Sequence, residues 1–526
     1  MDIVIGSGPS GIACAHALLE KKRKVLLLDF GNELEKKLQV IVDRLNKIPN
    51  NQWGSFDVNQ IKKDYVNSSS NGLSNKLVYG SNYPYLGMEK YCDLNQTDVE
   101  VISSFATGGF SNVWGSAILP FYQDDMRNWP ISVNDLESHY RKVLSFMPIS
   151  AKTDTLHEKF PIYKENSDSL CSSRQAEQFL NKLNCNYAKL KVAGYSFGKS
   201  RLAVNTSKNK FGFDCCYCGM CMYGCPYELI FSSKYLLQDM KAKFEGFEYQ
   251  PNVFVDKIEE KNGLINVHTY DRFTSELKII TGDRVFLGAG TLSTAAILLK
   301  SYEAYNQSII MKDNQYFLFP FITFSSVKNV FEERLHTLAQ VFIEIFDSEI
   351  SKNTIHLQVY SYNDFFYNKL KKMTKTIFPL FKNSILGRLH LFQGFLHSDY
   401  SHKISVQLER KKESNKDILN LRKIENKETS RTIKKILEKI NGDKFLLGGI
   451  PIKLLLDITK PGRSFHTGAT FPMTRTPGKF QSDLLGRPYG FERVFIVDSS
   501  NFPSLPSTTI TLTAMANAHR IGSLSV

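Results

Sequence analysis

The sequence lacks several features that would assign its 526 residues to a specialised class of protein. It has no apolar run of the roughly 18 residues that a membrane-spanning helix needs. No internal repeat is apparent, and no secretory signal precedes the first apolar stretch, Ile3-Val4-Ile5. These absences predict a cytoplasmic globular protein, with peripheral membrane contact as the alternative.

Acidic residues are in the minority, with 52 Asp and Glu against 66 Lys and Arg and a formal net charge of +14. Such an excess would suit a polyanionic partner, but the basic residues are interspersed with acids and form no tail or stripe. The densest group, Arg410-Lys411-Lys412, is interpreted as part of a solvated face. Nucleic acid is therefore not a predicted partner.

A glycine-rich turn separates the first apolar strand from the first predicted helix. Residues 6–11 match the pattern GxGxxG in the strand–turn–helix context that dinucleotide binding requires. The first glycine permits a tight turn, the second lets the backbone approach a diphosphate, and the third lets helix and strand pack closely. An acid that ends the next strand can accept hydrogen bonds from ribose hydroxyls. The pattern does not separate NAD from FAD, and its predicted binding residues are Gly6, Gly8, Pro9, Ser10, Gly11 and Asp29.

Three further stretches, in order along the chain, resemble the glucose–methanol–choline (GMC) oxidoreductase family, nearest to its bacterial sugar dehydrogenase and pyranose oxidase branch. The first is Gly-Gly-Phe-Ser-Asn-Val-Trp-Gly at 108–115, followed by Trp129-Pro130. The second is Gly-Ala-Gly-Thr-Leu-Ser at 288–293. The third is the tail, with Ser-Phe-His-Thr-Gly-Ala-Thr at 464–470 and Val-Asp-Ser-Ser-Asn-Phe-Pro at 497–503 before a final helix.

The resemblance implies that the dinucleotide is FAD. Some members carry a histidine covalently bonded to the flavin where this sequence has Val113, so non-covalent binding is expected. The further cofactor-binding residues that it implies are Gly108, Gly109, Ser111, Asn112, Val113, Trp114, Val255, Gly290, Asp498 and Ser499.

The resemblance also assigns His466 as the catalytic base. An imidazole titrates near neutrality, so it can take an alcohol proton while hydride leaves for flavin N5. The family usually has an Asn or His as its partner just before the last helix, where this sequence has Ser507-Thr508. A hydroxyl can still orient a substrate oxygen, so both residues are predicted at the site, with an altered reaction as the alternative.

Five of the nine cysteines lie between residues 215 and 225. Cys215, Cys218, Cys221 and Cys225 match the ferredoxin spacing C-x₂-C-x₂-C-x₃-C-P. The pair Cys215-Cys216, with Cys221 and Cys225, also resembles the run that holds an iron–sulfur cluster in FAD-dependent bacterial sugar dehydrogenases. An iron–sulfur cluster, a cluster-free run as in some GMC alcohol oxidases, and a zinc site remain the alternatives.

The predicted fold is α/β, with a Rossmann-like FAD-binding domain that carries a β-meander and an α+β substrate domain on an antiparallel sheet. The FAD-binding domain is expected over 1–300, with insertions at about 36–95 and 135–200 and the cysteine-rich loop at 215–226. The substrate domain is expected over 301–480, and 481–526 returns to the first domain. Residues 364–397 are predicted to form a lid or outer wall, with a membrane-surface element as the alternative.

The predicted function is FAD-dependent oxidation of the CH–OH group of a sugar, polyol or other small alcohol. The enzyme would be a dehydrogenase or an oxidase, and an acceptor protein or a quinone is the expected partner of a dehydrogenase. A flavoprotein electron carrier or reductase on the same fold is the alternative.

Overall fold

The computed structural model describes residues 1–63, 76–165, 167–364, 385–411 and 416–525. Most of the predicted lid at 364–397 lies outside these ranges. None of the described helices is both long enough and apolar enough to cross a bilayer.

The described strands, in chain order, are β1 (Asp2–Ile5), β2 (Val25–Leu28), β3 (Cys92–Thr97), β4 (Tyr195–Lys199), β5 (Phe247–Gln250), β6 (Val253–Lys261), β7 (Leu264–Asp271), β8 (Leu277–Gly282), β9 (Arg284–Leu287), β10 (Ser308–Asp313), β11 (Tyr316–Thr323), β12 (Val341–Ile345), β13 (Ile355–Tyr360), β14 (Leu389–Phe395), β15 (Lys403–Arg410), β16 (Asp417–Ile424), β17 (Gly449–Pro451), β18 (Asp457–Ile458), β19 (Thr467–Gly468) and β20 (Val494–Ile496). The described α-helices are α1 (Pro9–Glu20), α2 (Lys36–Leu45), α3 (Ser55–Ile61), α4 (Asn134–Phe146), α5 (Arg174–Cys185), α6 (Tyr187–Val192), α7 (Ser233–Lys243), α8 (Thr291–Ser301), α9 (Glu428–Gly442), α10 (Lys444–Leu447) and α11 (Thr511–Leu524).

A parallel sheet of order β20-β9-β1-β2-β5 brings both ends of the chain together. Both of its faces are covered, which explains why β2 reads Val-Leu-Leu-Leu without alternation. Val4 of β1 packs into a core with α1, α4 and α11, whereas Ile3 and Ile5 pack on the opposite side with α8 and the meander. The predicted Rossmann-like sheet is confirmed.

The predicted meander consists of β6, β7 and β8, while β5 and β9, which precede and follow it in the chain, join the parallel sheet. The buried apolar residues Val285, Phe286 and Leu287 of β9 suit a strand that is covered on both faces.

A seven-stranded antiparallel sheet forms the second half of the fold, in the order β17-β11-β14-β13-β12-β4, with β18 also paired to β11. Helices α5, α6 and α9 pack into its core through Phe179 and Leu183, Leu190, and Ile433 and Ile436 respectively. Strand β4, which lies within the predicted insertion 135–200, pairs with β12. Strand β14 pairs with β11 and β13, so this described part of the predicted lid belongs to the sheet.

A fourth sheet, of order β19-β10-β15-β16-β3, connects the two halves. Its last pair, β16 and β3, is parallel and joins residues more than 300 positions apart, such as Asp417 and Cys92. Strand β19 follows directly on His466, so this sheet fixes the position of the predicted catalytic histidine.

Candidate cofactor and active site

A cavity of about 400 Å³ lies between the parallel sheet and the seven-stranded sheet. One end is lined by residues 6–10 and Asp29, which follow β1 and β2. The other end is lined by Tyr360, Phe395 and His466. The carboxyl ends of parallel strands are where open α/β sheets bind their ligands, so the cavity lies where a dinucleotide is expected.

Glycine occupies the three fixed positions of the GxGxxG turn, Gly6, Gly8 and Gly11, for different physical reasons. Gly6 has φ +96°, and a Cβ there would lie 2.6 Å from the Gly288 carbonyl oxygen. A Cβ on Gly11 would lie 1.9 Å from the Gly6 carbonyl oxygen, so Gly11 permits close packing of α1 on β1. Gly8 has ordinary backbone angles, and a Cβ there would meet nothing within 4 Å. Protein atoms therefore do not require glycine at Gly8, whereas a ligand phosphate close to the backbone would.

Asp29 is held by a network at the floor of the cavity. Ser7 Oγ donates to its Oδ2 at 2.5 Å, and Tyr249 Oη donates to the same oxygen at 3.2 Å. The backbone N–H of Gly108 donates to Ser7 Oγ at 2.8 Å, which connects the predicted flavin segment to the turn. Burial raises the pKa of Asp29 to about 6, and the hydrogen bonds from Ser7 and Tyr249 oppose this shift.

Most of the predicted cofactor residues line this cavity. Those that do are Gly6, Gly8, Pro9, Ser10, Asp29, Gly109, Ser111, Val113, Trp114, Val255, Gly290, Asp498 and Ser499. Gly11, Gly108 and Asn112 support the lining from behind. Gly108 has φ +88° and leaves no room for a Cβ beside the Lys234 backbone, and Asn112 Nδ2 donates to the carbonyls of Thr107 and Gly109.

The second and third motifs meet at Asp498. Its Oδ2 accepts hydrogen bonds from Thr294 Oγ1 at 2.6 Å and from the Gly290 N–H at 2.9 Å. Gly290 has φ +86°, and a Cβ there would meet nothing within 4 Å. Burial raises the pKa of Asp498. At Gly290, which Asp498 holds in place, the backbone therefore faces the cavity without a covering side chain, as it does at Gly8.

His466 lies at the far end on a well-anchored loop. Its N–H donates to Ser464 Oγ at 2.9 Å, and Ser464 Oγ donates to the buried Asp313 at 2.6 Å. Its ring stacks on Phe395 with centroids 5.1 Å apart, and its Nδ1 has no hydrogen-bond partner among the described residues. Burial, with a smaller contribution from His356, lowers the pKa of His466 to about 4, so the imidazole is neutral at pH 7.

A polar chain on the seven-stranded sheet approaches the same end of the cavity. Tyr360 Oη donates to Gln358 Oε1 at 3.1 Å, Gln358 Nε2 lies 3.2 Å from His356 Nε2, and His356 Nδ1 lies 2.6 Å from Glu344 Oε1. Gln358 and Tyr360 line the cavity, as does Gln393 on the neighbouring strand. Sequence reasoning missed these residues, although the strict alternation of polar and apolar residues from Ile355 to Tyr360 was a usable signal.

Ser507 and Thr508 are both buried, and neither is among the described residues that line the cavity. Ser507 Oγ donates to the Thr354 carbonyl oxygen at 2.6 Å, whereas Thr508 Oγ1 has no partner among the described residues. The next residues, Thr509 and Ile510, do line the cavity. The two hydroxyl groups that were predicted to act beside His466 therefore lie behind the cavity wall, although they were expected to line the cavity.

The cysteine-rich run packs beside the cavity. Among the described residues, no three of its sulfur atoms lie within 4.8 Å of one another, whereas one metal ion at about 2.3 Å from each thiolate would bring them closer than that. This arrangement gives no support to a zinc ion bound by three or more of these thiolates, and no observation on the described residues supports the predicted iron–sulfur cluster. Burial raises the pKa of Cys215 and Cys225 to about 12.

Lys76 connects the run to the cavity, and sequence reasoning missed it too. Its Nζ donates to the Trp114 carbonyl oxygen at 3.1 Å, and it lines the cavity. Burial lowers the pKa of Lys76 to about 8, and nearby Cys221 and Cys225 oppose this shift.

The architecture is that of a Rossmann-like dinucleotide-binding fold joined to a domain on an antiparallel sheet, as predicted. The crystal structure of pyridoxine 4-oxidase from Mesorbium loti has a similar fold: the match covers 99% of this chain and 98% of that chain, with a TM-score of 0.60 and 12% sequence identity. The likeness confirms the predicted fold. No family model matches the sequence, and no curated protein is similar to it in sequence.

Proposed function

We propose that this protein is a flavin-dependent oxidoreductase that binds FAD non-covalently and oxidises the CH–OH group of a small alcohol. One observation carries the proposal: a single cavity joins the glycine turn and Asp29 at one end to His466 at the other. A dinucleotide held at the first end would extend its reactive ring toward the second.

The residues present fit such a cofactor. The bare backbone at Gly8 leaves space for a diphosphate at the N-terminus of α1, where free N–H groups favour negative charge. Asp29 would accept hydrogen bonds from the ribose hydroxyls of the cofactor. Gly290 and Asp498 would contact its diphosphate and ribityl groups. When bound, the flavin supplies the hydride acceptor of the reaction.

The base of the proposed reaction is His466. Its neutral imidazole would accept the alcohol proton on a ring nitrogen, and stacking on Phe395 fixes the orientation of the ring. Gln358 and Gln393 would bind further substrate hydroxyls, because their amides line the same end of the cavity. We do not assign a reacting role to Ser507 or Thr508.

The experiment is anaerobic stopped-flow reduction of the flavin by a panel of alcohols. The panel consists of sugars, polyols and pyridoxine, the last because the similar solved structure is named a pyridoxine oxidase. His466→Ala should retain FAD and slow reduction by about 10²- to 10⁴-fold, the usual contribution of a general base. Reduction at the wild-type rate would refute the role of His466.

His390→Gln is the matched control. His390 is also fully enclosed, and burial lowers its pKa to about 4 as well, but it packs against Phe179 on the other face of the sheet. Its replacement should leave the rate of flavin reduction unchanged. If no alcohol bleaches the flavin but a reduced nicotinamide or a reduced carrier protein does, the electron-carrier or reductase function is the correct one.

The cysteine-rich run is tested on the same anaerobic protein. Because no three of its sulfur atoms lie within 4.8 Å of one another among the described residues, we leave it out of the proposed reaction. Iron and acid-labile sulfide in the purified protein would contradict that choice and add a cluster that carries electrons to an acceptor protein or a quinone.

A further inference from the structure

A second group of titratable side chains lies apart from the cavity, where α1, α4 and α11 meet. His16 and Glu20 are one turn apart on α1, and His519 reaches them from α11. Glu20 Oε2 lies 3.4 Å from His519 Nε2 and 4.0 Å from His16 Nδ1. Among the described residues, this is the group of three such side chains whose possible ligand atoms all lie within 4.8 Å of one another.

Hydrogen bonds around the group leave its ligand atoms available. Lys142 Nζ binds the other carboxylate oxygen of Glu20, Oε1, at 3.2 Å, so Oε2 remains directed toward the histidines. His519 Nδ1 lies 2.9 Å from His139 Nδ1 and 3.3 Å from Ser523 Oγ, and either atom can accept its hydrogen. With the hydrogen on Nδ1, the lone pair of His519 Nε2 faces Glu20. His16 Nδ1 is buried without a hydrogen-bond partner among the described residues.

The distances match those of a bound transition metal. Ligand atoms at about 2.0–2.1 Å from a tetrahedral zinc ion lie about 3.3–3.4 Å apart. The pair Glu20 Oε2 and His519 Nε2 already has this separation, whereas His16 Nδ1 lies 4.0 Å from Glu20 Oε2 and would move closer on binding an ion. Two imidazoles, one carboxylate and one water are a ligand set that zinc accepts.

We propose that His16, Glu20 and His519 bind one divalent transition-metal ion of the zinc class, with solvent as the fourth ligand. The exposed side of Glu20 gives the ion access, whereas Phe146 packs at a tilt against the His16 ring, with ring centroids 4.5 Å apart. His139 is the positioning residue, because its bond to His519 Nδ1 selects the tautomer that binds metal.

The site would connect three helices of the cofactor-binding half. The bound ion would tie the C-terminal half of α1, whose N-terminus faces the cavity, to the C-terminal helix α11. Lys142 and Lys243 add positive charge nearby. The ion would stabilise the fold without taking part in the reaction at the flavin.

The test uses the full-length, flavin-loaded protein after treatment with EDTA and dialysis. Calorimetric titration with zinc chloride should give about one ion per chain, a higher Tm and an unchanged flavin spectrum. Cobalt(II) should give the visible d–d bands of a tetrahedral site without the near-ultraviolet absorption of cobalt–thiolate bonds. Glu20→Gln and His519→Gln should each bind zinc at least tenfold more weakly, and His139→Leu should lose about 10- to 100-fold.

Two controls make the outcome decisive. The first control, His268→Gln, removes a histidine whose Nε2 lies 3.6 Å from Glu259 but which, among the described residues, belongs to no group of three possible ligands. This variant should bind zinc with the affinity of the wild type. Cys221→Ser tests the cysteine-rich run and should also leave binding unchanged. The proposal is overturned if the wild type binds no zinc, if Glu20→Gln binds it with wild-type affinity, or if Cys221→Ser abolishes binding. Because Glu20 is exposed, Glu20→Gln decides the question even if His519→Gln fails to fold.

Discussion

At Gly8 backbone strain does not require glycine, and the proposed function explains the glycine as space for a ligand. Its φ of −63° suits any residue, and the position that a Cβ would occupy is empty of protein atoms. Gly8→Ala should therefore fold normally yet bind FAD about 5- to 150-fold more weakly, since an extra methyl group in a tight site costs about 1–3 kcal/mol. Flavin titration of the apoprotein measures this, with Gly442→Ala on α9 as a control glycine that also has open space around its Cβ. Unchanged FAD affinity would move the diphosphate away from the turn.

The lowered pKa of His466 predicts how the rate of flavin reduction depends on pH. A base works only when unprotonated, so the rate of flavin reduction should fall as the pH drops through the pKa of about 4 that burial gives His466. The rate should be flat from about pH 5.5 upward, instead of falling below the ordinary histidine value of about 6.5. Stopped-flow reduction over this range is the measurement, and an acid limb with a midpoint between about 6 and 7 would contradict the assignment.

Among the elements, helices α1 and α11 are in unusually close contact, and one glycine permits it. A Cβ on Gly522 would lie 2.9 Å from the Cys14 carbonyl oxygen and 3.1 Å from Ala17 Cβ. Gly522→Ala should destabilise the protein by about 1–3 kcal/mol, because overpacking outweighs the gain of about 1 kcal/mol in helix propensity. Gly442→Ala, at the open end of α9, should stabilise it by up to about 1 kcal/mol. Urea unfolding of both variants gives the signs, and a stable Gly522→Ala would refute the close packing.

The elements also show which parts of the structure were predictable from the sequence. The strand–turn–helix of residues 2–20 and the final helix were predicted because each is encoded by neighbouring residues. The pairing of β4 with β12 and of β3 with β16 was not, because the hydrophobic period of a strand does not identify a partner more than 100 residues away. For the same reason the local motif identified His466 but not His356, which only the long-range sheet brings near it.

On the scale of the whole molecule, one cavity depends on the entire chain. Its lining combines the first strand and turn, the antiparallel sheet formed in the middle of the chain, and residues 498–499 from its end. A ligand in this cavity contacts both halves and binds only when both are folded, so its binding stabilises both halves against unfolding. FAD release and the loss of tertiary structure should therefore occur in one thermal transition when flavin and tryptophan fluorescence are followed together. A flavin transition well below the tryptophan transition would indicate that the cofactor contacts only one half.

Buried histidines predict how the stability of the whole protein varies with pH. Burial lowers the pKa of six histidines to about 4, and these are His16, His139, His336, His390, His397 and His466. Below about pH 6.5 each would bind a proton in the unfolded chain but not in the folded one, so their contribution is complete above that pH and is lost on acidification toward 4. Burial raises the pKa of Asp29, Asp125 and Asp313 to between about 6 and 7, which has the opposite sign. Because the histidines outnumber these carboxyls, Tm should rise from pH 5 to pH 7. His390→Gln should flatten that rise, and a Tm that falls over this range would show that the buried carboxyls dominate.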